Sequence, residues 1–370
     1  MIGVSPIAGA PSATISRHAE GLTDCKPKRY PASRSHEGDV TVGIPFVSGS
    51  PPMIDLRLRS ASVVLLEENG DIRRLVKSAL LGIGFGTVHE CETADKARSV
   101  TGSANPDLLV LDLDFDNAAV CSLIQDIRHA RLGDNPFVVI IGLTHSPEEP
   151  VIQCALDAGT DDLVRKPVST RLLTDRITNL IQNRKEFIAT SDYVGPQRGK
   201  GVRSEGEEVA QVKVPNSLRA KATGNKSTKS GDKEIKRAAH TVTLQRVYSL
   251  VLSIITLADR LEHLASQGLN GNSLADEIAK LCDLVAEVEG VKLPDTVRNL
   301  SQITASMDNV MWTVAQMSSP PPRQFALLRL HAQAIAATMR GDHNASDEVA
   351  TVLGKISRPD TEDEQLAAGD

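Results

Sequence analysis

Residues 106–114 read Pro-Asp-Leu-Leu-Val-Leu-Asp-Leu-Asp, an unbroken apolar run from Leu108 to Leu111 stopped by the carboxylate of Asp112. A continuous apolar run, in place of alternation, marks a strand covered on both faces. Three other runs share this plan. Val63 to Leu66 ends at Glu67 and Glu68, Val138 to Leu143 ends at Thr144, and the shorter Leu163-Val164 lies just before Lys166-Pro167. Helical periodicity fills the segments between them, and strand–helix repetition implies parallel strands joined by right-handed crossovers. The predicted fold class is therefore α/β, a doubly wound parallel sheet. Ligands of such sheets bind beyond the carboxyl ends of the strands, where Glu67, Glu68, Asp112, Thr144 and Lys166 all fall.

With those positions in view, Val63 to Arg74, Pro106 to Asp114 and Asp157 to Pro167 resemble the receiver domain of two-component response regulators. The resemblance covers about residues 58–187. It implies a flavodoxin-like sheet of five strands in the order 2-1-3-4-5. It also implies that Asp112 is the phosphoacceptor, that Glu67 and Glu68 hold Mg2+ together with Asp112 and the backbone carbonyl of Asp114, that Thr144 is the switch hydroxyl, and that Lys166 contacts the phosphoryl group. The implied partner is a sensor histidine kinase or phosphotransfer protein. Physical chemistry agrees: an aspartate can form an acyl phosphate if a hard cation and an ammonium neutralise charge on the phosphoryl oxygens. Such a protein is a signalling switch and not a metabolic enzyme.

Several residues depart from the receiver pattern. Glu68 has one methylene more than the aspartate usual at a position that touches a metal with strict octahedral geometry. The loop after Asp112 lacks the usual proline and glycine at Asp116 and Val120. Leu163 stands where an aromatic switch residue is usual. A pseudo-receiver that keeps the fold and serves as a phosphorylation-independent scaffold is therefore a second reading.

The chain has 370 residues, 41% hydrophobic and only 3% aromatic, with a net charge of −6. That length allows two domains with linkers, while the sparse rings and acidic balance disfavour base stacking and general affinity for nucleic acid or anionic membrane. No uninterrupted apolar run approaches the roughly 20 residues of a membrane span. Five cysteines without paired metal spacing point to a reducing, cytoplasmic setting. Residues 1–57, rich in Ser, Pro, Gly and Ala, are expected to be disordered, with Met53 as an alternative translation start. Residues 188–231 are expected to be a flexible basic linker, and residues 359–370 an acidic disordered tail. Within the linker, Asp192-Tyr-Val-Gly-Pro-Gln-Arg-Gly199 resembles a segment, Asp-Tyr-x-Gly-Pro-Asp-Arg-Arg, that follows receivers in a group of alphaproteobacterial regulators; Gln197 and Gly199 depart from it. Tyr193 and Pro196 either pin the linker to the receiver or form a plain turn.

Residues 232–358 change period. Leu244, Val247, Val251, Ile254, Ala258, Leu261 and Ala265 recur at alternating spacings of three and four, with Leu250, Leu257 and Leu264 widening the stripe. Three more helices are expected, over residues 273–289, 295–317 and 323–340, with a short fifth over 346–356. They make a four-helix bundle, or a homodimer that builds one. Of its histidines, His240 is the nearest candidate for a divergent phosphotransfer site in a phosphorelay, without the Lys-Gly context such sites usually have; His263 and His331 have less.

Overall fold

The computed structural model describes residues 57–145, 149–198, 203–204, 207–208, 210–224, 228–267, 272–291, 300–317 and 320–340. The expectations for residues 1–56, Met53 included, for the fifth helix and for the tail lie outside them.

Five strands alternate with five helices. They are β1 (Ser62–Leu66), α1 (Gly70–Ile83), β2 (Thr87–Cys91), α2 (Ala94–Ala104), β3 (Leu108–Asp112), α3 (Asn117–Arg128), β4 (Val139–Thr144), α4 (Glu149–Asp157), β5 (Asp162–Arg165) and α5 (Thr170–Asn183). All strands are parallel, in the order β2-β1-β3-β4-β5. The continuous runs became the central strands, because only those are covered on both faces: every residue of β3 and β4 is buried. One apolar layer packs Val63, Leu65, Val110 and Ile141 against Val76 and Leu80 of α1 and Leu173 and Ile177 of α5. The opposite layer packs Val64, Leu109, Leu111 and Ile140 against Ala97 of α2, Leu123 and Ile124 of α3 and Ala155 of α4.

Local capping fixes where the helices begin at the site. Asn69, two residues beyond Glu67, accepts from the backbone N–H groups of Asp71 and Ile72 and caps the start of α1. Asp116 accepts from Ala119 N–H and starts α3, so a capping carboxylate stands where a proline is usual. Gly142 in β4 leaves room for the Leu113 and Leu163 side chains: a Cβ there would lie 2.7 and 2.8 Å from their methyl groups. Leu163 thus lies inward, over β4.

The expectation of a flexible linker over 188–231 is corrected in two places. β6 (Phe187–Ala189) and β7 (Val194–Pro196) form an antiparallel hairpin, and α6 (Ser217–Ala222) packs on the α/β domain. In the hairpin the Tyr193 hydroxyl donates to Pro196 O at 2.7 Å, and Arg198 donates to Thr160 O. Gly195 and Gly159 permit the contact with the turn after α4, since a Cβ on Gly195 would come within 2.8 Å of Gly159 Cα. Lys221 of α6 reaches Asp107 at 2.6 Å, and buried Leu218 and Ala222 join the first apolar layer. Small apolar anchors and a few specific hydrogen bonds therefore hold the hairpin and α6, although the average composition of residues 188–231 reads as linker.

The remaining helices are α7 (Thr228–Ser266), α8 (Asn272–Gly290), α9 (Leu300–Gln316) and α10 (Pro322–Arg340). Val247, Val251, Ile254, Ala258 and Leu261 of α7 share one core with Leu281 and Val285 of α8, Met307 and Val314 of α9, and Phe325, Leu328 and Ile335 of α10. Because α8 and α10 both pack on α7, its stripe is covered within one chain, which removes the sequence-based reason for a second copy. Within α7, Gly231–Ser266 is long and apolar enough by composition to cross a bilayer, with a mean hydropathy of 1.4 in one window. Its apolar side lies in the bundle core.

A separate small core joins the α/β domain and the bundle. Phe137, Phe187, Ala189 and Val194 pack with Val242 of α7, flanked by Val212, Val214 and Ile235. The Phe187 ring meets Phe137 edge-on at 5.5 Å and has the Arg128 and Arg184 guanidiniums at 5.2 and 4.9 Å.

Candidate functional site

At the carboxyl edge of the sheet the chain gathers Glu67 from the end of β1, Asp112 from the end of β3, Thr144 from the end of β4 and Lys166 from just after β5, all of them buried. Lys166 Nζ donates to Asp112 Oδ1 at 2.6 Å and lies 2.9 Å from Glu67 Oε2. The second contact is an ion pair out of line for a hydrogen bond, so Oε2 is buried without one. Burial works against charge on Lys166, yet the two carboxylates outweigh it and raise the lysine's pKa. Burial raises the pKa of Glu67, an effect that Lys166 only partly offsets and that Asp112 reinforces.

Asp114 enters the site through its side chain, whereas the sequence reading gave it only a backbone carbonyl. Its Oδ1 accepts from Thr144 Oγ1 at 2.6 Å, its Oδ2 from His145 N–H at 2.8 Å, and Lys166 Nζ is 3.5 Å from Oδ2. Burial opposes the charge on Asp114, but these donors together lower its pKa. Nothing in the Leu-Asp-Phe-Asp loop distinguishes Asp114 from a capping residue; the signal is its place two residues after a strand end, with Thr144 on the neighbouring strand.

Glu68, next to Glu67 in the chain, is exposed, unlike the four buried residues. The donor set is right in kind for a hard cation, carboxylate oxygens with one of them lacking a hydrogen bond. The carboxylates of Glu67, Asp112 and Asp114 gather around Lys166 Nζ at 2.9, 2.6 and 3.5 Å, and with the lysine between them no group of three among the described residues is arranged around a metal position.

The bundle's histidines fall elsewhere. His331 is fully buried, 2.7 Å from Leu327 O through Nδ1 and 2.9 Å from Ser306 Oγ through Nε2. It is a packed core residue. His263 is exposed and lies 2.8 Å from the Gln267 amide, while His240 is half-buried on α7.

Five parallel strands in the order 2-1-3-4-5, with a carboxylate pair, an aspartate, a hydroxyl and a lysine on consecutive strand ends, invite comparison with known proteins. Residues 63–178 match the response regulator receiver domain. The receiver's relatives include the KDP operon transcriptional regulatory protein KdpE of Escherichia coli, 33% identical over 116 residues, which cover 31% of this chain and 49% of that protein. A cyclic di-GMP phosphodiesterase of Thermotoga maritima is 28% identical over 131 residues, 35% of this chain and 34% of that one. The chemotaxis protein CheY of Pseudomonas aeruginosa is 23% identical over 121 residues, 32% of this chain and 95% of that protein. Among solved structures, a response regulator from Thermotoga maritima is similar with a TM-score of 0.30 and 24% identity, covering 33% of this chain and 98% of that one. The chain spans between a third and a half of the length of the first two of these proteins, and α6 to α10 lie outside the family match.

Proposed function

We propose that Asp112 accepts a phosphoryl group from a sensor histidine kinase or phosphotransfer protein in the cytoplasm, and that the change reaches the helical bundle through the β6–β7 hairpin. One observation carries this reading: a buried lysine within 3 Å of both the strand-end aspartate and the glutamate beside it. A lysine so placed neutralises charge that develops on a phosphoryl group attached to Asp112. Glu67, Glu68 and Asp112 would hold Mg2+, with the Asp114 carbonyl as a further ligand; its charge would stabilise the phosphoryl oxygens during transfer. Thr144 is one strand away from Asp112 and would turn its hydroxyl from Asp114 to the new phosphoryl oxygens.

The route outward uses α4 and the hairpin. α4 follows Thr144 in sequence, and the turn after it carries Gly159 and Thr160, which contact Gly195 and Arg198 of the hairpin segment; from there Ala189 O accepts from Ser249 of α7 at 3.4 Å. The test is incubation with acetyl phosphate and magnesium. An acid-labile phosphoryl adduct on the wild type and none on Asp112→Asn is the expected outcome, and equal labelling of both would sink the assignment.

A phosphorylation-independent scaffold is favoured by a different observation. Thr144 is already hydrogen-bonded to Asp114 and Glu68 faces solvent, an arrangement that stands without phosphate. A full chain that takes no label yet binds its partners would select this second reading.

A further inference from the structure

Two cysteines meet on the face of the sheet that carries α3 and α4. Cys121 lies one turn into α3 and is 3% exposed. Cys154, in the middle of α4, is partly exposed and packs against the apolar layer that contains Cys121, Ala155 and Ala158. The side chain of Cys121 is positioned by Asn117, whose Oδ1 is 3.7 Å from its sulfur. α3 and α4 pack on each other with both cysteines in this one apolar layer, and the Cys121 thiol lowers the pKa of Cys154 against the opposing effect of burial. Burial instead raises the pKa of Cys91 and of Cys282. A partly exposed thiol beside a buried second thiol on the neighbouring helix is the arrangement of a reacting cysteine with its resolving partner.

We propose that Cys121 and Cys154 are a redox modification site that closes reversibly into a disulfide between α3 and α4. With a peroxide as oxidant, the Cys154 thiolate attacks one peroxide oxygen, the O–O bond breaks, and a sulfenic acid forms as water leaves. The Cys121 sulfur then attacks the sulfenic sulfur, the S–O bond breaks, and a second water leaves with the thiol proton. Two thiols and one hydrogen peroxide thus give one disulfide and two waters; a thiol-disulfide exchange with a small dithiol reverses it. The bond would staple the helix that follows Asp112 to the helix that follows Thr144. That effect on the switch rests on the phosphotransfer reading above, whereas the disulfide itself does not.

Trypsin separates the pair: residues 99–128 contain Cys121 as their one cysteine, and residues 132–165 contain Cys154. The full chain is treated with dilute hydrogen peroxide, alkylated and digested without reductant. The expected result is the two peptides joined, lighter than their sum by two hydrogens, and separated again by dithiothreitol. In Cys121→Ala, which keeps the apolar contact, Cys154 should stop at a sulfenic acid that dimedone captures. In Cys154→Ser, Cys121 should oxidise no faster than Cys91. Oxidation of wild-type Cys154 to sulfinic acid while Cys121 remains alkylatable would overturn the proposal, as would a disulfide that joins two chains. Amide exchange supplies the second measurement: oxidation should slow exchange in α4 in the wild type and leave it unchanged in Cys121→Ala. A joined peptide in a chain whose Asp112 takes no label would remove the phosphotransfer reading and leave the redox site standing.

Discussion

Asp161 Oδ2 accepts from Arg128 Nη2 at 2.8 Å, with neither side chain more than 1% exposed. The other oxygen of Asp161 accepts from Arg184 at 2.8 Å, so one carboxylate holds the two guanidiniums that flank Phe187. Arg128 also donates to the carbonyls of Gly159, Pro136 and Val138. This cluster ties α3, the turn after α4, and the hairpin into one unit. The receiver's connection to α7 is built on it.

Burial lowers the pKa of Arg128 to about 10, still high enough to keep it charged at neutral pH. Asp161→Ala would leave two buried cations facing each other, and removing one partner of a buried pair costs about 3–5 kcal/mol. Urea unfolding should show a loss of that size, with faster amide exchange in β6 and β7. A variant as stable as wild type would mean that water or another acceptor replaces the carboxylate.

Ile254 tests the bundle in the same way. It is fully buried in the core shared by α7, α8, α9 and α10, where the residues packed with it are apolar. Ile254→Asp should destabilise by several kcal/mol, about 3–5, seen as an earlier circular-dichroism melt. An unchanged melt would place this face in solvent.

Periodicity made the central strands and the bundle legible because burial on both faces, or along a wide stripe, leaves a long compositional mark. The edge strand β2, Thr-Val-His-Glu-Cys, left none of that mark: it is buried fully only at Cys91, and its existence followed from the resemblance alone. Glu67, Asp112, Thr144 and Lys166 could be found because each ends a strand. Asp114 was underread because its role comes from Thr144, 30 residues away. The hairpin was legible only as one of two readings of Tyr193 and Pro196, because its other anchors, Phe187, Gly195 and Arg198, act through partners distant in sequence, which composition cannot register.

Magnesium tests the acidic edge. Glu67, Asp112 and Glu68 repel one another when ionised, and a cation that binds only the folded chain stabilises it by mass action. Magnesium should therefore raise the thermal midpoint of the wild type, and Glu68→Ala should lose most of that rise. The same response in both proteins, by calorimetry, would locate the binding elsewhere.

His129 gives a pH dependence with a definite sign. Burial, with Arg246 and Arg131 close by, pushes its pKa down from 6.5 to about 3, against the opposing pull of Asp126. The folded state thus holds the neutral ring. The stability it confers is complete above pH 6.5 and is lost as pH falls from 6.5 toward 3. Most carboxylates protonate only below pH of about 5, so the interval above that isolates the histidine. His129→Gln should flatten the loss of stability between pH of about 7 and about 5.5, measured by urea midpoints. An equal slope in both proteins would mean that the ring is solvated when folded.

Thr144 decides whether phosphate and the bundle communicate. Its hydroxyl is held by Asp114 at 2.6 Å, and a phosphoryl analogue on Asp112 offers stronger, charged acceptors to the same donor. Leu163, packed over Gly142, has no ring to swing, so any displacement must pass along α4 to Gly159 and the hairpin. Beryllofluoride with magnesium should alter amide exchange in α4, in β6 and β7, and in the α7 turn around Val242 and Ser249. Thr144→Ala should confine the change to the pocket while leaving beryllofluoride bound, because Lys166 remains. A wild type that binds beryllofluoride with no change beyond the pocket would leave the receiver as a scaffold for the bundle, with Asp112 disconnected from it.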